Sequence, residues 1–78
     1  MPVVLRIGPF RFFFYSNERG EPAHIHVQRD RGLAKFWLEP VALANSRNFA
    51  AHELNVIRRH IDDNFLTLQE AWNAHLDS

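Results

Sequence analysis

Residues 24–28, His-Ile-His-Val-Gln, and residues 33–38, Leu-Ala-Lys-Phe-Trp-Leu, decide the fold of this chain. Side chains of a β-strand point alternately to its two faces. The two histidines therefore share one face of the first run, and the lysine and the tryptophan share one face of the second. The turn between the runs, Asp30-Arg31-Gly32, contains a glycine that is available for the positive φ of a tight hairpin. We therefore predict two antiparallel strands with one apolar face and one face of imidazoles, an amine and an indole.

Two further strands are predicted before this pair. Val3–Ile7 is a β-branched run that ends at Gly8-Pro9, and residues 10–15 are aromatic and favour a strand. A polar turn is predicted over residues 16–22, and Pro40 is interpreted as the end of the fourth strand, which covers residues 33–39. Short turns between consecutive strands indicate a four-stranded antiparallel meander.

The alternation divides the predicted sheet into two faces. The first face is apolar and consists of Leu5, Ile7, Phe10, Phe12, Phe14, Ile25, Val27, Ala34, Phe36 and Leu38. The second face consists of Arg6, Arg11, Phe13, Tyr15, His24, His26, Gln28, Lys35, Trp37 and Glu39. Burial of one large apolar side chain is worth ~1.5–3 kcal/mol. We therefore expect a helix to cover the first face and the second face to be open to solvent or to a partner.

The second half of the chain predicts one long helix from about residue 50 to 76. Its apolar stripe is formed by Ala50, Leu54, Ile57, Ile61, Phe65, Leu68, Trp72 and Leu76. Asn48 is the predicted N-cap. A helix of this length measures ~40 Å, about twice the length of a six-residue strand. Phe65, Leu68 and Trp72 would then extend beyond the sheet, which predicts that a small protein partner or a second copy covers them. A break at Asp62-Asp63-Asn64 is the alternative, although the stripe keeps its phase there.

Composition limits the classes of function. The 78 residues predict a single domain, 1–78, of the α+β class, and nine basic and nine acidic side chains cancel. This balance disfavours strong non-specific binding of nucleic acid but leaves room for a local basic patch. The absence of cysteine excludes a disulfide framework and a thiolate metal site. Neither a signal peptide nor an apolar run of ~20 residues is present, so we expect a cytoplasmic protein that does not contact a membrane.

His24 and His26 are the candidates for proton transfer, because histidine titrates near neutral pH. Lys35 and Arg11 could stabilise phosphate charge beside them, which predicts a metal-independent ribonuclease or phosphodiesterase. The competing explanation is a pair of sheet histidines that are bonded to polar neighbours. No third ligand lies at a diagnostic spacing, so no metal and no other cofactor is predicted.

Aromatic side chains of the second face suggest binding rather than catalysis. Phe13, Tyr15 and Trp37 could stack on bases between cations, as in a nucleic-acid-binding module or a transcriptional co-regulator. Aromatic residues mixed with arginine are also typical of protein interfaces. For Trp37 and Trp72, ordinary packing in a core or an interface competes with both interpretations.

The chain resembles an uncharacterised family of small bacterial proteins. The shared motifs are Tyr15-Ser16-Asn17-Glu18, Glu21-Pro22-Ala23-His24-Ile25-His26-Val27, Ala34-Lys35-Phe36-Trp37-Leu38, Glu53-Leu54-Asn55-Val56-Ile57 and Trp72. Three positions depart from the family pattern: Ala23 replaces a second proline, Arg19 stands where histidine is frequent, and Ala50 occupies a cap position that tends to be Ser or Asn. Arg19 thereby removes a candidate third imidazole.

The resemblance implies a role with a partner. Such proteins are typically encoded beside another small domain, in arrangements that resemble toxin–antitoxin modules. No catalytic residue is carried over from the family. Our leading prediction is therefore one component of a two-protein, toxin–antitoxin-like module that acts through a protein–protein interface, and a toxin-like action on RNA is a further implication.

Overall fold

The strand-forming half of the chain contains one strand more than its sequence predicts. The computed structural model describes residues 3–15 and 20–76, and in these residues an open five-stranded sheet precedes two helices. The strands are β1 (Val3–Ile7), β2 (Phe10–Phe13), β3 (His24–Arg29), β4 (Gly32–Leu38) and β5 (Val41–Arg47). Each strand pairs antiparallel with the next along the chain, so the predicted meander is confirmed. The predicted turn over residues 16–22 and the motif at residues 15–18 lie partly outside the described residues.

Pro40 follows the end of β4, as predicted, but the sheet continues beyond it with the unpredicted strand β5. Glu39-Pro40 is a two-residue connection between β4 and β5, with a cis peptide bond, rather than the end of the sheet. The alanines, asparagine and serine of β5 have little intrinsic preference for a strand, so the run gives no clear signal by itself. Antiparallel pairing with β4 holds these residues in a strand, and in this pairing Trp37 lies opposite Ala42 and Lys35 lies opposite Asn45.

Gly32 has a different role from the one predicted. In the β3–β4 turn the positive φ, 52°, belongs to Asp30 and not to the glycine. The ring of Phe49 packs against Gly32 so closely that an added Cβ would lie 2.6 Å from its Cε1 atom. Phe49 also contacts Phe10, with a ring-centroid distance of 6.3 Å. The glycine therefore gives space to an aromatic side chain that links the turn to the core.

The helical half breaks at Asn64 into α1 (Ala51–Asp63) and α2 (Phe65–Leu76), so the single long helix is wrong and the alternative break is present. The Asn64 N–H donates to the carbonyls of His60 and Ile61 at 3.1 and 3.2 Å. The Asn64 side-chain amide also donates to the His60 carbonyl at 2.9 Å. These bonds satisfy carbonyls that a helix end leaves without partners. The Asn64 carbonyl then accepts from the Leu68 N–H at 3.0 Å and begins α2.

The break removes the reason for a partner at the end of the helix. Each helix measures ~18–20 Å, which is close to the length of a strand. Leu68 and Trp72 are buried in the core, and Phe65 packs against that core. The expectation that these side chains extend beyond the sheet is therefore wrong, whereas the predicted apolar stripe is confirmed except at Ala50, which is exposed. Their contact with a partner stays a prediction.

The start of α1 also differs from the prediction. Ala50 is the N-cap, and its N–H donates to Glu53 Oε1 at 3.1 Å. Asn48 lies earlier, has a left-handed φ of 61°, and donates from Nδ2 to the Arg31 carbonyl at 3.0 Å. A carboxylate in the first turn of α1 thus replaces the predicted asparagine cap.

The first face of the sheet is the core face, as predicted. Its buried members are Phe10, Phe12, Phe14, Ile25, Val27, Ala34, Phe36 and Leu38. Leu5 and Ile7 are partly buried and pack against this cluster. Ile57 and Ile61 of α1 join the same cluster as Leu68 and Trp72 of α2, so both helices contribute to one core.

Two leucines of α2 test how this helix packs. Leu68→Ala should lower the free energy of unfolding by about 2–5 kcal/mol, because it leaves a cavity in the core. Leu66→Ala is the matched control, since Leu66 is 73% exposed on the same helix, and its effect should stay within about 0.5 kcal/mol. Urea unfolding followed by circular dichroism measures both values. Equal effects would contradict the packing of α2.

A second pair of variants tests the contact of Gly32 with Phe49. Gly32→Ala should destabilise the protein by about 1–3 kcal/mol, because the new methyl group overlaps the ring. In a Phe49→Ala background the same change should cost much less, since the overlapping ring is gone. A double-mutant cycle of urea midpoints gives the coupling. Additive effects of the two substitutions on stability would show that the Phe49 ring does not cause the destabilisation by Gly32→Ala.

Candidate functional site

The register of the strands arranges the second face in rows. At the turn end of β3, successive partners across the sheet are Arg6 with Arg11, Arg11 with Gln28, Gln28 with Leu33, and Leu33 with Arg47. We call these side chains the arginine row. Arg47 was missed because it lies in the unpredicted strand β5. The signal that could have found it is the cross-strand pairing itself, which a single sequence does not display.

The opposite end of the second face is a cluster of rings and one amine. We call it the aromatic end, and it consists of Phe13, Tyr15, His24, His26, Lys35 and Trp37. Phe13 pairs with His26 across β2 and β3, and His26 pairs with Lys35 across β3 and β4. His24 pairs with Trp37 in the next row. The structure therefore brings together both histidines and Lys35.

His24 is completely buried, with 0% of its surface exposed. Its Nδ1 atom lies 2.8 Å from the Pro22 carbonyl oxygen. Because a carbonyl can only accept, Nδ1 is the donor in this bond. The ring centroid of His24 lies 4.7 Å from that of Trp72 and 5.8 Å from that of Trp37. Trp72 also contacts Phe14 of the first face, so α2 reaches around the end of the sheet and covers His24.

His26 is packed between aromatic side chains and is 7% exposed. It stacks on Phe13 at 5.6 Å between ring centroids and meets the edge of Tyr15 at 4.4 Å. Its ring is nearly perpendicular to that of His24, at 5.2 Å. The prediction that both imidazoles lie on an open face is therefore wrong. The physical reason is that Trp72 covers one histidine and that Phe13 and Tyr15 enclose the other.

Lys35 is held by two neighbours. Its Nζ atom donates to Glu21 Oε1 at 2.6 Å and lies 4.6 Å from the ring centroid of Trp37. The ammonium group is thus paired with a carboxylate and placed over an indole. The sequence places Glu21 in a shared motif and near the two histidines, without a diagnostic ligand spacing, and does not predict its ion pair with Lys35. Its ion pair with Lys35 bridges a turn and a strand.

Arg11 lies apart from the other predicted catalytic residues. Its Nη2 atom donates to Gln28 Oε1 at 2.8 Å, and this pair belongs to the arginine row. Arg11 is two residues from Phe13 on β2, which corresponds to ~6.6 Å along the strand. The predicted set of two histidines, Lys35 and Arg11 therefore does not converge on one point.

The geometry favours packing as the explanation for His24. A general acid or base must come within hydrogen-bond reach of the atom that it protonates or deprotonates, and a completely buried ring does not reach a bound substrate without local opening. Catalysis by His26 and Lys35 stays a prediction. Within residues 3–15 and 20–76, no three His, Cys, Asp or Glu side chains converge as a metal site. In the same residues no helix is long and apolar enough to cross a membrane.

A cavity lies elsewhere, at the tip of the β3–β4 hairpin. It has a volume of about 350 Å³ and is lined by Arg29, Asp30, Arg31, Gly32, Asn48, Phe49 and Glu53. Arg29 lies 3.8 Å from both Asp30 Oδ2 and Glu53 Oε2, and it stacks over Phe10. The charge of Arg29 is therefore balanced inside the cavity. This arrangement supports the interpretation of residues 29–32 as an ordinary hairpin turn.

Chemical modification tests the burial of the histidines. Diethyl pyrocarbonate should modify His52, which is exposed on α1, while His24 and His26 react only when the protein unfolds. Mass spectrometry of peptides after a short exposure measures each site. Rapid modification of His24, at the rate of His52, would contradict the packing and would restore the accessibility that catalysis requires.

The comparisons with known proteins identify the family. Residues 10–73 match the profile of the family described as a domain of unknown function, DUF4160. No curated protein and no solved structure matches the chain. The matched segment begins at β2 and ends in α2, so it includes the aromatic end and most of the arginine row. The chain therefore belongs to the DUF4160 family.

Proposed function

We propose that this protein is one component of a two-protein, toxin–antitoxin-like module and that it binds its partner protein through the second face of the sheet. The single observation that carries the proposal is an apolar patch on that face. Val3 and Tyr15 keep 41% and 37% of their surface exposed, on the side of the sheet opposite the core. Exposed apolar side chains next to arginine are typical of interfaces.

A small depression lies within this patch. It has a volume of about 90 Å³ and is lined by Val3, Arg11, Phe13 and Gln28. Phe13 forms a rigid wall, because its ring is fixed against Tyr15 and His26. A pocket of this size accepts one side chain, and interfaces concentrate binding energy where an anchor side chain fills such a pocket.

The edge strand β1 supports the same location for the interface with the partner. In the part of the chain that the structure describes, β1 pairs with β2 alone, so its outer side presents backbone groups that a second chain can use. Val3 belongs to this edge strand and pairs with Phe13. A partner that packs on the patch is therefore placed to extend the sheet as well, a common mode of recognition.

The toxin–antitoxin assignment comes from the resemblance of the family motifs, and it complements the geometry. A toxin-like component must be neutralised by its partner, and a partner on the second face would cover the arginine row. In such a module, binding of the partner protein blocks the surface through which the toxin-like component acts.

Co-expression tests the proposal. The chain should slow growth when it is expressed alone, and it should co-purify with the product of the neighbouring gene and lose its toxicity in its presence. Val3→Glu should weaken co-purification at least tenfold, because it places a charge in an apolar contact. Val56→Glu is the matched control, since Val56 is also 41% exposed but lies on α1.

Three outcomes would overturn the proposal. One is the absence of a complex with the neighbouring gene product. Another is an equal effect of the two valine variants, which would place the interface elsewhere. The third is unchanged growth on expression of the chain alone, which would remove the toxin-like role.

A further inference from the structure

The five strands contain no acidic residue. They carry five cations, Arg6, Arg11, Arg29, Lys35 and Arg47. Within residues 3–15 and 20–76, every carboxylate lies in a connection or a helix, and the whole chain has nine acidic and nine basic residues. The zero net charge is therefore the sum of a cationic sheet and acidic surroundings. A ligand that approaches the sheet meets a local basic surface that the overall charge does not reveal.

Three of the five cations belong to the arginine row. Arg6, Arg11 and Arg47 are exposed and share the second face through their cross-strand partners. The row crosses all five strands, and four steps between neighbouring strands give it a width of ~19 Å. Gln28 and Leu33 fill the middle of the row and are partly buried. The guanidinium groups thus stand along a line rather than around a point.

These arginines are not neutralised by the described part of the chain. Its ion pairs join Arg29 to Asp30 and Glu53, and Lys35 to Glu21. None involves Arg6, Arg11 or Arg47, although Arg11 donates one hydrogen bond to the neutral side chain of Gln28. A guanidinium has five N–H donors, so this bond leaves Arg11 able to bind an anion.

We propose that the arginine row binds the phosphate backbone of a single-stranded nucleic acid that lies across the strands. A line of cations fits a linear polyanion, and the backbone of a single strand carries one charge per nucleotide. The exposed ring of Tyr15 lies farther along the same face, where bases extending from the backbone can stack. A single strand uses both features, since its phosphates pair with the cations and its bases stack on rings.

This inference does not depend on the two-protein module, because it needs no partner. The row and the apolar patch share Arg11 and Gln28 but extend in different directions. Val3 and Tyr15 lie at one edge of the sheet, whereas Arg47 lies on the opposite edge strand, β5. Loss of nucleic-acid binding and loss of the partner complex can therefore be measured separately.

Fluorescence anisotropy with the full chain tests the proposal. The probes are fluorescein-labelled 12-nucleotide oligouridine and oligothymidine, which separate RNA from DNA, together with a 12-base-pair duplex. The single strands should bind more tightly than the duplex, and affinity should fall steeply as salt is added. A preference for one single strand would assign the natural ligand to RNA or to DNA.

Two double variants with the same change of charge locate the site. Arg6→Gln/Arg47→Gln should weaken binding at least tenfold, and it should reduce the slope of log affinity against log salt by about 1.4, since each phosphate contact on a single strand contributes ~0.7. Arg58→Gln/Arg59→Gln, on α1, should change affinity less than twofold. Circular dichroism and the urea midpoint confirm that each variant is folded, and Arg11→Gln replaces the first variant if it is not.

Four results would overturn the inference. They are an absence of binding to either single strand, an equal loss in the two double variants, tighter binding of the duplex, and tighter binding of a polyglutamate peptide with the same dependence on Arg6 and Arg47. The last result would assign the row to an acidic protein.

Discussion

The break in the helix at Asn64 is the constraint on which the rest of the structure depends. A continuous helix would be about twice as long as the sheet and would leave its last turns without a surface to cover. Asn64 ends α1 by donating from both its backbone and its side chain to the last carbonyls. The direction of α2 is then free to change, and Trp72 reaches both Phe14 and His24. One polar side chain thereby allows a chain of this length to close its own core.

The break between α1 and α2 also explains why the histidines are buried. His24 lies at the start of β3, where Trp72 of α2 arrives, so its imidazole packs against two indoles. His26 lies one row farther into the sheet and is enclosed by side chains of its own face. The two histidines of the 24–28 run are thus used largely for packing, and the exposed polar groups of the second face are its arginines. Polar residue types on a sheet face do not by themselves mean an open site.

Local periodicity was sufficient to predict most of the fold. The alternation of Ile25, Val27 and Phe36 identified the core face, and the spacing of Ile57, Ile61 and Leu68 identified the helical stripe. Both patterns record which side of an element is buried, and burial is what the hydrophobic effect selects. The stripe keeps its phase across Asn64 because both helices face one core, which is why it did not reveal the break.

β5 was missed because its strand conformation comes from pairing with β4 and not from its own side chains. The burial of His24 depends on Trp72, which is distant in sequence, so no local pattern could predict it.

The separation of charge between strands and surroundings gives this molecule an electrostatic character that its isoelectric point of about 7.0 conceals. At physiological ionic strength the Debye length is ~8 Å, so salt largely screens the basic surface from any ligand much farther away than that. Long-range attraction of a polyanion is therefore weak, and the basic surface acts only after an encounter has occurred. The basic surface of such a molecule selects its ligands at contact distance rather than by attraction from afar.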